Sequence, residues 1–479
     1  MTRKYLILIL AICFIAISLL ARKATAPIMS LFPIENYDQN LGHWIKPTGP
    51  NFDQRLLPHD SQAKRFADFL RYSYGDLSPW QPTLPPNLKT EITHQLVRFS
   101  NDNKTAAKIG YGANFRILSN TWHQRLERNT NLAQFDHLAL NPDHRAIAVN
   151  NTQGRELPTH DVHFYDHNIA GQGYPFDNLQ TALVWAGTPL YVLGESADHQ
   201  FVFVQTPSFR AWLNSTDIAF VDDQFVTNWR NAATKKLVAI TDTEIPIIDT
   251  ENHIFRTSGF IGMVFPGEQH KKSWRIMLPV RDEQGQARVH FAELPSNAAI
   301  SMPLIATPHQ FTTMISKLIH RPYGWGGMYL YNDCASELKN LYTPFGFFLP
   351  INSTEQVDPK NANVKIVDLP NANREARIKF LMTEGKPFMT IINNGGHVIL
   401  YLGTYPNPND PHHRPVALSY QNVWAVEPRT PAPGKDRRSV IGGAVLLPIL
   451  PYFPEDRGIA SDADYERFTV AFLINENNT

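Results

Sequence analysis

Apolar residues recur every three or four positions in several stretches, and each such stretch predicts an amphipathic helix. Residues 61–72 place Ala63, Phe66, Phe69 and Leu70 at that spacing, and residues 88–99 place Leu88, Ile92, Leu96 and Phe99 on one side. Residues 308–320 repeat the pattern with Phe311, Met314, Ile315, Leu318 and Ile319. Residues 374–383 and the segment opening at Cys334 also read as helices. From about residue 160 the texture changes to short apolar runs cut by Gly, Asp, Ser and Pro, which predict strands and turns. Runs at 190–193, 201–204 and 211–213 form one group, and runs at 237–240, 244–248, 259–265, 274–280 and 287–291 form a second. Short strands at such close spacing predict two small barrels. Two later runs, 398–402 and 416–426, flank a Pro-rich polar loop and predict a hairpin.

These changes of texture divide the 479 residues into several units. Residues 1–26 read as a signal peptide or membrane anchor, 27–158 as a mainly helical domain with an extended lead-in to about residue 54, and 155–159 as a linker. Residues 159–230 and 231–305 read as the two barrels, 306–455 as a mixed helix and strand domain, and 456–479 as a polar tail.

Charge narrows the function classes. Lys plus Arg equals Asp plus Glu at 44 each, with no basic cluster, so electrostatics give no case for a nucleic-acid partner. The N-terminus is export-like: Arg3 and Lys4 precede an almost wholly apolar run over 5–21. Ala24-Thr25-Ala26 fits a small-x-small cleavage site, but Pro27 disfavours cutting there, so cleavage and inner-membrane anchoring both stay open. Either outcome puts the bulk of the chain in an extracytoplasmic space. Eighteen histidines raise the question of a metal, yet there is no HExxH, no paired Cys spacing, and only the loop pair His412-His413. Neither a metal nor an organic cofactor is expected.

The candidate chemistry centres on Cys334. The chain has two cysteines, and Cys13 lies in the export-like run, so Cys334 has no partner in the exported part. It follows the Gly-rich turn Pro322-Tyr323-Gly324-Trp325-Gly326-Gly327 and starts a predicted helix. Free N–H groups and the helix dipole stabilise a thiolate at such a position, which leads to the expectation of a lowered thiol pKa. The alternative is a buried structural cysteine. A thiol hydrolase also needs a base and a polar group that orients it. His397 begins a strand after Gly395-Gly396 and is the best base candidate; the alternative is a strand-end histidine with a structural hydrogen bond. A symmetric hairpin register sets Gly403 against Pro415 and His397 against Gln421 on the same face, so Gln421 is expected to accept the imidazole N–H. Asn422 then points the other way, and Asp410, His412 and His413 lie in the solvated loop.

These motifs resemble a known family. The run PYGWGG, then NDCASELKNLYTPFGFFLPINSTEQ, then GGHVILYLG and Gln421-Asn422-Val423-Trp424 is similar to the NlpC-type cell-wall cysteine peptidases. Upstream, GQGYPFDNLQ, GTPLYV and WLNSTDIAFV resemble the first of two bacterial Src-homology-3-like barrels in a branch that also has an N-terminal helical cap domain. The resemblance implies a multidomain α+β chain, with a papain-like NlpC-type catalytic domain preceded by two small β-barrels and a mainly helical N-terminal domain. It implies hydrolysis of peptidoglycan stem peptides, commonly between γ-D-glutamate and the diamino acid. On this resemblance Cys334 is the nucleophile, His397 the base, Gln421 the orienting residue and Tyr323 a positioner near the oxyanion. Asp333, Ser336 and Trp325 are the expected substrate contacts. Two positions depart from the pattern: Ala335 stands where the family usually has Ser, and Ile351 where it usually has Arg. The rival readings are an amidase or transpeptidase on the same fold, and a wall-binding protein without catalysis.

Overall fold

The computed structural model describes residues 29–474 apart from 103, 170, 359, 361–363, 428–437, 456–458, 461 and 464. The export-like segment, with Cys13, lies outside the described residues. Among the described residues no helix is long and apolar enough to cross a membrane.

The 3.6-residue patterns form the helices expected of them. His59–Ser73, Leu88–Phe99, Pro308–Leu318, Cys334–Tyr342 and Arg374–Glu384 are all helical. The helix Pro308–Leu318 opens on Thr307, whose side chain accepts from the Gln310 N–H, with Pro at the first turn where no N–H is needed. Further helices lie outside those patterns: Leu41–Trp44, Asn120–Thr130 and, between the two barrels, Asp223–Lys235. Signals for the last were present: Asp222 caps it, and Phe225, Val226, Trp229 and Ala233 form its buried stripe.

Two β units precede the last domain. The first is a seven-stranded sheet that includes Pro189–Glu195, Phe201–Gln205 and Arg210–Asn214. It also takes in Arg145–Ala148 and Thr152–Arg155. The expected linker at 155–159 is therefore corrected. Arg155 ends a barrel strand and is buried, ion-paired to Asp177 at 2.7 Å. A buried guanidinium needs such a partner, and the partner lies 22 residues on, beyond any local pattern. The second unit is a five-stranded sheet with a separate two-stranded pair, Ile245–Ile248 with Phe255–Gly259. The expected strand at 259–265 is instead a turn between Phe255–Gly259 and Val264–His270. At that turn Gly262 has φ +91°, and a Cβ there would lie 2.7 Å from the Asn340 backbone.

The last domain packs the helix Cys334–Tyr342 against a seven-stranded sheet. In spatial order its strands are Met29–Leu31, Arg438–Ile449, Pro415–Val426, Val398–Pro406, Thr390–Asn393, Thr469–Phe472 and Lys365–Asp368. Two expectations fail here. Part of the lead-in is an edge strand, Met29–Leu31, paired parallel with Arg438–Ile449. Leu41, Trp44, Ile45 and Leu57 then join Phe311, Leu341, Tyr342 and Leu400 in one core. At the other end, the presumed tail supplies Thr469–Phe472, bonded on both sides within the sheet. Each is a short segment completed by strands or core residues far away in sequence, which a local pattern does not report.

Candidate active site

The Gly-rich turn and the helix start are built together. Asp333 caps the helix: its Oδ1 accepts from the Ser336 N–H at 2.8 Å, and the Ser336 hydroxyl accepts from the Asp333 N–H at 2.8 Å. Asp333 Oδ2 accepts from the Gly326 N–H at 3.2 Å, tying the turn to the cap. Gln356, fully buried in the LPINSTEQ segment, donates to the carbonyls of Ala335 (2.9 Å) and Pro350 (2.8 Å). That amide fixes the first turn of the helix from beneath, a role not read from the sequence.

The helix presents Cys334 to an open cleft of about 530 Å³. Tyr323, Trp325, Asp333, Ala335, Ile351 and His397 also line it. The expected substrate contacts therefore divide. Trp325 and Asp333 face the cleft, although the Asp333 carboxylate already serves the cap. Ser336 does not: it is buried and committed to the capping box, so its expected substrate contact is corrected.

The first β unit forms the opposite wall. Phe176, Gln180, Thr181, Ser208 and Phe209 line the cleft. The Phe176 ring meets Trp325 edge-on at 5.2 Å and Trp424 at 5.9 Å between centroids. Trp325 Nε1 donates to the Asp177 carbonyl at 3.0 Å, and Gln180 Nε2 donates to the Gly326 carbonyl at 2.7 Å. The Arg155–Asp177 pair holds this loop from within. Gly327 has φ +87°, and a Cβ there would sit 2.6 Å from Leu183 Cβ, so only glycine permits this approach. Gly327→Ala is expected to destabilise the protein by about 1–3 kcal/mol from overpacking, with a left-handed backbone cost of similar size. Thermal unfolding checks it; an unchanged Tm would mean that the turn and the barrel do not pack as described.

The hairpin reaches the expected contact by a different register. Gly403 pairs with Leu418 rather than Pro415, an offset of three residues that by itself turns Gln421 to the opposite face. A bulge at Leu402 removes one residue of that offset, so Tyr401 pairs with Ser419 and Leu400 with Tyr420. The remaining offset of two restores the shared face, and His397 Nε2 lies 2.8 Å from Gln421 Oε1 along the diagonal. The Gln421 NH₂ group donates to Asp462 (2.9 Å) and to the Ser419 hydroxyl oxygen (3.2 Å), so its oxygen faces the ring. That orientation puts the imidazole proton on Nε2 and leaves Nδ1 free to accept one. Asn422 points away, as expected, and donates to the Asn332 carbonyl at 2.8 Å. His412 and His413 are exposed in the loop.

The electrostatics differ from the helix-terminus expectation. Burial pushes the Cys334 thiol up to about 12, with the nearby Asp333 charge adding to the shift. Backbone N–H groups of Val398, Ala335 and Cys334 act in the opposite direction without overcoming it. Burial lowers the His397 imidazole to about 4, opposed by the Gln421 bond. Both shifts favour the neutral thiol and the neutral imidazole. Tyr323 is raised well above its ordinary value by burial and then by Cys334 and Asp333, so its hydroxyl stays a proton donor. Asp462 was missed in the sequence because it lies in the presumed tail; burial raises its carboxyl to about 6.

The family described as SH3 domain (SH3b1 type) matches residues 163–214, within the first β unit. The solved structure of an NlpC/P60 endopeptidase from Photobacterium damselae subsp. piscicida superposes with a TM-score of 0.79 at 24% identity, covering 93% of this chain and 98% of that one. This chain has the NlpC/P60 endopeptidase fold. An NlpC/P60 family protein from Bacillus cereus ATCC 10987 aligns over 68% of this chain and 98% of that one, at 14% identity and a TM-score of 0.41. NlpC2 from Trichomonas vaginalis aligns over 66% and 97%, at 10% identity and a TM-score of 0.20. No curated protein matches the sequence. The fold class read from the sequence therefore holds: mixed helix and sheet, with an SH3b unit ahead of an NlpC/P60-type domain.

Proposed function

We propose that this protein is an exported cysteine peptidase that hydrolyses peptidoglycan stem peptides at the bond between γ-D-glutamate and the diamino acid. The observation that carries the reading is the His397–Gln421 bond at 2.8 Å, which leaves Nδ1 as a base in the cleft that Cys334 also lines. The SH3b match and the fold of the Photobacterium endopeptidase support a cell-wall substrate.

The chemistry follows from the groups present. His397 Nδ1 takes the thiol proton as Cys334 Sγ attacks the amide carbonyl. The Cys334 and Ala335 N–H groups, with the Tyr323 hydroxyl, are the donors available to the oxyanion. The imidazolium then protonates the leaving amine. Water, deprotonated by the same nitrogen, releases the acyl group and restores the thiol. Aromatic rings of Phe176, Trp325 and Trp424 give the cleft an apolar wall on which a peptide of small side chains can lie.

Digestion of purified muropeptides, read by mass, tests the reading. The expected products are two fragments whose masses sum to the substrate plus one water, cut after γ-D-glutamate. Fragments separated at the sugar–peptide junction would make the protein an amidase. Products joined to an added amine would make it a transpeptidase, and binding without cleavage a wall-binding protein.

A further inference from the structure

A carboxylate of the C-terminal segment reaches into the site. Asp462 is only 4% exposed. Its Oδ2 accepts from Gln421 Nε2 at 2.9 Å, and its Oδ1 accepts from Asn394 Nδ2 at 3.4 Å. Asn394 begins the turn that carries His397, and its backbone N–H donates to the His397 carbonyl at 3.1 Å. One carboxylate thus touches both the amide that orients the imidazole and the turn from which the imidazole projects.

The segment around Asp462 is itself anchored. Arg377, buried in the helix Arg374–Glu384, donates to the Ala463 carbonyl at 2.9 Å and to the Tyr465 carbonyl. The same guanidinium donates to the carbonyls of Leu369 (3.0 Å) and Pro370 (2.9 Å). The segment on either side of Asp462 is therefore tied to the helix Arg374–Glu384 by one guanidinium.

We propose that Asp462 is a positioning residue for the thiol chemistry, which sets the orientation of the Gln421 amide and through it the tautomer of His397. The physical reason is the polarity of the amide. A carboxylate only accepts hydrogen bonds, so it holds the NH₂ end of Gln421 and leaves the oxygen for the ring. The second partner agrees, because the Ser419 hydroxyl donates to the Leu447 carbonyl at 2.8 Å and so can only accept from Gln421. If the amide turned over, NH₂ would face Nε2, the ring proton would move to Nδ1, and the nitrogen left for Cys334 would no longer accept a proton. At neutral pH the carboxyl is ionised, since its shifted value of about 6 lies below 7.

The inference rests on the proposed thiol peptidase reading, and its test separates the two. In the full chain, Asp462→Ala is expected to lower kcat roughly 10- to 100-fold with KM within about twofold of wild type. Asp462→Asn, which can still accept but no longer imposes one orientation, is expected to fall between them. In a Gln421→Ala background, Asp462→Ala is expected to cost less than about threefold, because its effect runs through Gln421. Nitrogen-15 spectra of histidine-labelled protein, with His397 assigned by its loss in His397→Gln, should show the Nε2–H tautomer in wild type and a mixture in Asp462→Ala. Wild-type kinetics from Asp462→Ala and Asp462→Asn, or costs that multiply fully with Gln421→Ala, would overturn the proposal. If Asp462→Ala does not fold, Asp462→Asn carries the same comparisons. A wild-type protein that cleaves nothing would refute the peptidase reading, and the tautomer spectra would still decide the role of Asp462.

Discussion

Cys334→Ser is expected to abolish hydrolysis of muropeptides while leaving the thermal unfolding midpoint close to wild type. A hydroxyl replaces a thiol of nearly the same size in a cleft, so packing changes little, but the nucleophile is lost. A serine hydroxyl is far harder to deprotonate than a thiol, and His397, lowered to about 4 by burial, is a weak base for that task. The expected loss is at least about 1,000-fold in kcat, in line with removal of a nucleophile that acts as a unit with its base. Alkylation tests the resting state of the same group. With the thiol pushed up to about 12, the thiolate fraction grows as pH rises toward that value, so iodoacetamide should label Cys334 more slowly than a model peptide thiol at pH 7 and faster as the solution is made alkaline. The Cys334→Ser protein supplies the blank for Cys13. Fast labelling at neutral pH would mean that the helix start stabilises a thiolate against burial, and retained cleavage by the serine variant would remove Cys334 from the mechanism.

Gln421→Ala is expected to lower kcat roughly 10- to 1000-fold and to cost about 1–3 kcal/mol of stability, because the buried Asp462 carboxylate loses its closer donor. The amide is buried and its removal frees the imidazole to turn and to hold its proton on either nitrogen. Gln421→His is expected to keep much of the activity, because an imidazole at that position can accept from His397 Nε2–H on one nitrogen and donate to Asp462 from the other. Alanine at His412, His413 or Asn422 should be mild by comparison. The first two are exposed in the hairpin loop, and Asn422 faces the Asn332 carbonyl rather than the ring. The measurement is steady-state kinetics across the series on one muropeptide. A dispensable Gln421 with an essential His412 or His413 would move the orienting group into the loop.

The first β unit supplies one wall of the cleft, and this separates the protein from a design in which such a unit only tethers an enzyme. Gln180 and the Asp177 carbonyl are bonded to the very turn that precedes Cys334. Burial of Gly326 and Gly327 against Gln180 and Leu183 makes that contact a close backbone approach rather than a flexible linkage. The cleft is therefore lined by residues from two units of the chain. Ala335 and Ile351, the two departures from the NlpC pattern, both line the same cleft.

Local pattern was enough for much of this protein. The amphipathic helices over Leu88–Phe99 and Pro308–Leu318, the capped start at Asp333-Cys334 and the hairpin strands are each specified by residues a few positions apart, so periodicity and capping report them. The pairing of His397 with Gln421 was also legible, but for an incomplete reason. A symmetric loop predicts that pairing directly, whereas the strands are offset by three and a bulge at Leu402 returns the parity. What only the tertiary structure decided lies in contacts between distant segments. Met29–Leu31 and Thr469–Phe472 are short strands that become so by pairing with partners far along the chain. Arg155 reads as linker until Asp177 accepts its charge, and Asp462 reads as tail until it meets Gln421. The thiol pKa belongs to the same class. A helix start predicts that it falls, but desolvation depends on everything packed around Cys334, and in this cleft burial outweighs the helix N–H groups.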